Sequence, residues 1–286
     1  MTFRDQNIAF KELLAGIYDD DEIFTLFLSV HDLTRAGYII HQNDTIDPSQ
    51  LADSNAALQD LRTGKPLQYI LGTAPFYGLD LLVNEHVLIP RPETEELVEW
   101  VLDCFVPRND GETVRPIRIL DIGTGSGCIP VALKVNLPGA SVSAIDISAE
   151  AIGVAQKNSE LNKAPVHFIE ADILNWSTSD KFDVIISNPP YITMKEQADM
   201  HINVLNNEPH LALFVPDNDP LKFYSAIADL SLTALNKGGS LFFEINAAYG
   251  NDVVAMLKEK GFKDIILKKD MQGKERMLRS VFSLES

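Results

Sequence analysis

From Phe10 to about Ile70 the apolar residues recur at intervals of three and four, as in Leu13, Leu14 and Ile17, then Ile23, Phe24, Phe27, Leu28 and His31. One face of an α-helix has that spacing, so the stretch predicts a small helical bundle. Asp47-Pro48-Ser49 reads as an N-cap with an early proline, opening a helix through Leu51, Leu58 and Leu61 that Thr63-Gly64-Lys65-Pro66 ends. Between Phe76 and Leu88 the pattern becomes β-type around Tyr77-Gly78 and Asn84-Glu85, which predicts a short hairpin. After Pro90–Glu96, the residues Leu97, Val98, Val101 and Leu102 mark another helix.

Beyond that helix, short apolar segments alternate with helical ones: Ile117–Leu120, Ile129–Val135, Val142–Ile147, Ala149–Leu161, Val166–Ile169 and Val184–Ser187. Such a βαβ series builds a mostly parallel sheet covered by helices. A helix near Leu221–Leu235, a strand at Ser240–Ile245, a helix near Asp252–Lys260 and strands around Phe262–Leu267 and Arg276–Phe282 complete it. The expected organisation is a helical domain over residues 1–74, a hairpin and linker over 75–96, and an α/β domain over 97–286.

Composition narrows the classes open to such a chain. Its 286 residues are 45% hydrophobic, enough for two cores, yet no apolar run approaches the ~20 residues that span a bilayer. The opening MTFRDQNIAFKELL has charge and amphipathic spacing without the apolar stretch of a signal peptide. Cys104 and Cys128 stand far apart and outside any CxxC pattern, and no histidine pairs at metal-ligand spacing, so neither a disulfide framework nor a metal is expected. A reducing cytoplasm fits. The net charge of −17 disfavours nucleic acid, whose backbone is bound through Lys and Arg.

Candidate chemistry starts after the first strand of the series, with Asp121-Ile122-Gly123-Thr124-Gly125-Ser126-Gly127. Here an open α/β sheet binds ligands at the carboxyl ends of its strands. The glycines alternate and do not spell the G-x-G-x-x-G of a dinucleotide pyrophosphate loop, which disfavours NAD. Asp146 ends the next strand, placed to accept hydrogen bonds from ribose hydroxyls. Asp172 and Ile173 follow the third, in position to meet an adenine ring, although Asp172 could simply cap a turn and Asp121 could simply brace the loop.

Asn188-Pro189-Pro190-Tyr191 follows the fourth strand and falls at the same edge. Two prolines make a stiff turn. A planar amide or amino nitrogen attacks a methyl sulfonium only if its lone pair is released from conjugation, which requires acceptors for both N–H groups. The Asn188 side-chain carbonyl and the Pro189 backbone carbonyl can supply them, while Tyr191 can stack on the planar group. Taken alone, this motif does not separate a nucleobase from an amide, and a plain proline turn would also contain it.

Together with Gly64–Gly72 (GKPLQYILG), Leu88–Glu95 (LIPRPETE) and Glu208–Leu213 (EPHLAL), these motifs make the chain resemble the HemK/PrmC family, protein-(glutamine-N5) methyltransferases acting on class I peptide-chain release factors. Asp270, Gly273 and Arg276 resemble that family's closing motif. The resemblance implies a helical N-terminal domain that binds the release factor, and a Rossmann-like class I methyltransferase domain that binds S-adenosyl-L-methionine and releases S-adenosyl-L-homocysteine. It further implies cofactor contacts at Gly123, Thr124, Gly125, Ser126, Gly127, Asp146, Asp172, Ile173 and Asn188, and a glutamine pocket of Asn188, Pro189, Pro190 and Tyr191 with Asn188, Pro189 and Tyr191 catalytic. A monomer is expected, with neither nucleic acid nor membrane as partner. Some relatives carry an aromatic residue where Ile173 stands, and many carry glycine where Asn246 stands. Arg91, Glu93 and Thr94 are open between pocket and linker roles.

Overall fold

A computed structural model describes residues 1–105, 116–200 and 202–282. They form two compact units, residues 1–72 with the helix Ile202–Asn207, and Thr73–Met200 with the residues from Glu208 onward. The first unit begins with α1 (Phe3–Leu14), α2 (Asp20–Val30), α3 (Arg35–His41), α4 (Pro48–Leu61) and α5 (Leu67–Leu71). Side-chain caps set the helix starts. Thr2 and Asp5 bond each other's backbone N–H at 3.2 and 3.0 Å, and Asp19 and Glu22 do the same at 2.8 and 3.0 Å. Asp47 caps α4 as its spelling suggested, accepting from the Ser49 N–H at 2.9 Å.

Phe10, Leu14, Ile23, Leu26, Phe27 and Leu61 fill this unit's core. Leu13, which the spacing put on the core side, is 46% exposed, because Phe10 and Leu14 one turn apart already occupy that face of α1. His31 is buried as expected and sits 3.2 Å from the Ser54 hydroxyl, which also takes a hydrogen bond from Gln6 at 2.6 Å.

The second unit opens with β1 (Thr73–Phe76) and β2 (Leu79–Leu82), paired antiparallel. Tyr77 and Gly78 both have positive φ, so they form the hairpin's two-residue turn and not its beginning. The hairpin therefore lies earlier than the Phe76–Leu88 pattern indicated. Next come α6 (Pro92–Phe105), β3 (Arg118–Ile122), α7 (Cys128–Asn136), β4 (Ser141–Asp146), α8 (Ala149–Leu161), β5 (His167–Glu170), β6 (Phe182–Ser187) and β7 (Ile192–Thr193). Then follow α9 (Ile202–Asn207, in the first unit), α10 (His210–Leu213), β8 (Phe214–Val215), α11 (Lys222–Ala234), β9 (Leu235–Glu244), α12 (Gly250–Glu259), β10 (Lys263–Lys269) and β11 (Glu275–Val281).

Seven strands make the main sheet in the order β10-β11-β9-β6-β3-β4-β5. The five from β9 to β5 run parallel, and β11 and β10 close the far edge antiparallel. Alternate residues feed two cores. Ile119, Val184, Ile186 and Phe242 pack with Leu97, Val101 and Leu133 on one face, while Leu120, Ile185, Leu241 and Phe243 pack with Tyr224, Ile227 and Val253 on the other. The chain runs outward from β3 through β4 to β5 and then returns to β6 on the other side of β3. A crevice opens where strand order reverses in this way.

Candidate functional site

Four strands deliver their candidate residues to that crevice, β3 the glycine loop, β4 Asp146, β5 Asp172 and Ile173, and β6 Asn188. The loop is held by its own main chain. The N–H groups of Gly123 and Thr124 both bond the Ile145 carbonyl at 2.9 and 3.0 Å, Gly127 N–H bonds the Thr124 carbonyl at 2.8 Å, and Gly125 N–H bonds Asp146 Oδ2 at 2.8 Å. With these four amides engaged internally, the loop does not act as a phosphate cradle, which agrees with its departure from the dinucleotide spelling. Gly127 precedes α7 at φ +78°, where a Cβ would stand 2.9 Å from Ala155 Cβ, so a side chain is excluded by both conformation and space.

A cavity of about 370 Å³ lies here, lined by Gly123, Gly125, Asp146, Asp172, Ile173, Asn188, Pro189 and Pro190 among the anticipated residues. Thr124 and Ser126 are buried off the cavity wall, Gly127 packs on α8, and Tyr191 stands behind the wall. The Asp172 carboxylate caps its own turn, accepting from Leu174 N–H at 2.9 Å and from the Asn175 amide at 2.7 Å. Ile173 packs against the apolar core beneath, as do Ile169 and Trp176. Phe223 of α11, not singled out by any motif, also lines the cavity and is its aromatic wall.

Two carboxyls lie close beneath the loop. Burial pushes Asp146 up, while N–H donors from Ser148 and Gly125 pull it back. Asp121 is fully buried and is pushed up to about 7, chiefly by desolvation and further by the Asp146 charge. The Thr124 hydroxyl offsets part of that shift without closing a hydrogen bond of ordinary geometry.

Asn188 rests on side chains brought from distant parts of the chain. Its Nδ2 donates to Thr94 Oγ1 at 3.1 Å, and Thr94 in turn donates to Glu244 Oε2 at 2.6 Å. The Tyr191 hydroxyl donates to the other oxygen, Glu244 Oε1, at 3.1 Å. Burial pushes the Glu244 carboxyl up, and the Thr94 and Tyr191 hydroxyls and the Arg276 charge hold it back. Asn246 bonds the Tyr191 backbone carbonyl at 3.2 Å and Glu196 Oε1 at 3.0 Å, tying the motif's last residue to a second anchor. Arg276 donates to the Ile245 carbonyl at 3.3 Å and to Asp270 at 3.4 Å.

Thr94 thus touches the site directly. Arg91 instead braces its wall, through a 2.6 Å ion pair with the buried Glu208, which also accepts from Ile89 N–H at 3.4 Å. That pair joins the strand of chain carrying Val87 and Leu88 to the one carrying Pro209 and Leu211, all four of which line the cavity. The buried Asn158 joins β2 to the glycine loop, bonding Leu82 N–H at 2.6 Å, the Leu82 carbonyl at 2.9 Å and the Ser126 carbonyl at 2.8 Å. Arg91, Thr94 and Glu208 stood in motifs already named, whereas Asn158 carried no such signal and Glu244 showed only as a lone carboxylate closing the apolar strand Leu241-Phe242-Phe243. Among the described residues no three or more His, Cys, Asp or Glu side chains group as a metal site, and no helix is long and apolar enough to cross a membrane.

Comparison with known proteins agrees with this architecture. Residues 11–72 match the family described as the PrmC N-terminal domain, and residues 108–212 match the methyltransferase small domain. The release factor glutamine methyltransferase of Flavobacterium psychrophilum is 44% identical over 287 residues, covering 99% of this chain and 100% of that one. The protein of the same name from Bacteroides thetaiotaomicron is 48% identical over 220 residues, 76% of each chain. A methyltransferase structure from Pyrococcus furiosus superposes on the fold with a TM-score of 0.53 at 19% identity, over 72% of this chain and 90% of that one. The second unit has the class I methyltransferase fold expected from its sequence.

Proposed function

This chain belongs to the release factor glutamine methyltransferase family, and we propose that it methylates the side-chain amide nitrogen N5 of the glutamine in the Gly-Gly-Gln motif of class I peptide-chain release factors. The methyl donor is S-adenosyl-L-methionine, which supplies a methyl group already activated on a sulfonium and leaves as S-adenosyl-L-homocysteine. Asp146 would hold the ribose hydroxyls, Asp172 and Ile173 the adenine, and the glycine loop the amino-acid end of that donor. The fit rests on a mainly apolar cavity with the Asp146 carboxylate at the end of β4 and a loop that offers no phosphate cradle.

The observation that carries the acceptor reading is the anchored amide of Asn188. With Nδ2 held by Thr94, its Oδ1 is the edge left to accept an N–H, next to Pro189, whose carbonyl offers a second acceptor. Both N–H groups of a primary amide bonded in this way hold its nitrogen in place and turn its lone pair toward the methyl. The displacement forms the N–C bond as the S–C bond breaks, and the surplus amide proton leaves to solvent. The first unit is proposed to hold the body of the release factor, and the protein to work as a cytoplasmic monomer.

Purified protein is expected to transfer labelled methyl to a class I release factor and not to one whose acceptor glutamine is replaced by alanine. Labelling of bulk RNA with none on the release factor would overturn the reading.

A further inference from the structure

Asn188 can serve as an acceptor only if its amide is turned one way, and the two ends of an amide are nearly the same size. Shape alone therefore selects the orientation weakly, and hydrogen-bond polarity has to do it. We propose that Glu244 is a positioning residue which, through the Thr94 hydroxyl, fixes which edge of the Asn188 amide faces the methyl acceptor. This rests on the proposed methyl transfer to an amide or amino nitrogen.

The argument is one of counting protons. Both Glu244 oxygens face hydroxyl donors and Arg276 favours the charged form, and in that form the carboxylate has no proton to give, so each oxygen acts only as an acceptor. Thr94 has a single hydroxyl proton, and at 2.6 Å from Glu244 Oε2 that proton is committed to the carboxylate. Its oxygen can then only accept from Asn188. The atom facing it at 3.1 Å must be Nδ2, which turns Oδ1 to the opposite side. The second carboxylate oxygen takes the Tyr191 proton at 3.1 Å, so one buried group sets the polarity at both ends of Asn188-Pro189-Pro190-Tyr191.

The groups around Glu244 bear on its ionisation from every side. Arg276 on β11 favours the carboxylate, Glu93 on α6 opposes it, and burial opposes it most. Tyr224 on α11 donates to the Glu244 backbone carbonyl at 3.3 Å, and the half-buried Cys128 thiol on α7, itself pushed up to about 12, adds no charge. Glu244→Gln puts an NH2 donor where the carboxylate offered a second acceptor, so the polarity of the chain is no longer fixed. With that donor turned to Thr94, the Thr94 proton goes to Asn188 Oδ1 and the Asn188 amide presents N–H groups to N–H groups of the acceptor.

The test compares Thr94→Val, Thr94→Ser and Glu244→Gln with wild type on whichever acceptor wild type methylates, so that a wrong acceptor identity leaves this comparison intact. Thr94→Val should lower kcat at least tenfold and Glu244→Gln about a hundredfold, the scale of losing one preorganised polar partner. Thr94→Ser should stay within about threefold of wild type, and cofactor Kd should change less than about threefold in all three. A readout independent of turnover is hydrogen exchange at the Asn188 side-chain amide, where the Nδ2 protection seen in wild type and Thr94→Ser should be lost in Thr94→Val. If Glu244→Gln does not fold, the Thr94 pair decides, since it leaves the carboxylate in place. Equal losses in Thr94→Ser and Thr94→Val would mean that packing and not the hydroxyl matters. That result, or Thr94→Val with wild-type kcat and wild-type exchange, would overturn the proposal.

Discussion

The glycine loop and the Asn188 corner stand at the carboxyl ends of neighbouring strands, β3 and β6, yet they are built from different materials. Main chain builds the loop, from one short stretch whose amides bond Ile145, Thr124 and Asp146. Side chains build the corner, drawn from α6, β9, the residues after β9 and β11. A main-chain site fails by changing shape, and shape governs whether a cofactor fits. A side-chain site can lose one polarity and keep its shape, and polarity governs whether bound reactants react. Changes in the loop should therefore appear in stability and affinity, and changes in the corner in rate.

The largest effect expected in the loop region is electrostatic. Asp121 titrates near 7 in the folded chain against an ordinary 3.8, so folding favours its protonated form. Its contribution is most favourable below pH about 4 and is lost as pH rises through about 7, a swing on the order of 4 kcal/mol for three pKa units. Asp121→Asn should therefore raise Tm over wild type by several degrees at pH 8 and by much less at pH 5, measured by thermal unfolding. An advantage that does not grow with pH would mean that Asp121 is not the neutral buried group described.

Next in size is Gly127→Ala, which combines a positive-φ penalty of about 1–2 kcal/mol with overpacking of about 1–3 kcal/mol against Ala155. Gly125→Ala meets no atom within 4 Å and carries the φ term only, about 1 kcal/mol. Unfolding midpoints and titration with S-adenosyl-L-homocysteine should separate the two, and indistinguishable variants would break the account of the loop. Asn188→Ala marks the other side of the comparison. Turnover should fall about a hundredfold, near 2.7 kcal/mol, with cofactor Kd within about tenfold of wild type. Equal losses in Kd and kcat would make Asn188 a cofactor residue first.

The same contrast explains what could be read beforehand. The loop was legible because its requirements fall on consecutive residues between an apolar strand and a helix, and Asn188–Tyr191 was legible for the same reason. Thr94 was open between pocket and linker roles, but its tie to Asn188 was not legible, since Thr94 and Glu244 lie 150 positions apart and meet only once α6 packs on β9. Local patterns also misled where tertiary pairing overrode them. The strand expected at Ser240–Ile245 already starts at Leu235, paired with Phe182, and the register slips before Ser240 meets Val184. The hairpin's first strand was hidden by helical spacing running up to Ile70, although Ala74 and Phe76 alternate inward within four residues.

Asn246 gives the smallest effect on rate and the finest division between the two regions. Its amide ties the Tyr191 carbonyl to Glu196 while its oxygen caps the turn at Ala248 N–H, 2.9 Å away. Asn246→Ala removes these bonds but leaves the Tyr191 hydroxyl on Glu244 and Asn188 on Thr94. A stability loss of about 1.5–3 kcal/mol follows from losing a hydrogen bond to a charged group. Turnover should drop less than tenfold, because the polarity of the corner is untouched and only the backbone of its last residue is loosened. Steady-state kinetics beside thermal unfolding separates the two quantities. A rate loss matching that of Asn188→Ala would show that the position of the Tyr191 backbone, and not the polarity of the side chains, limits the reaction, and the corner would then behave like the loop.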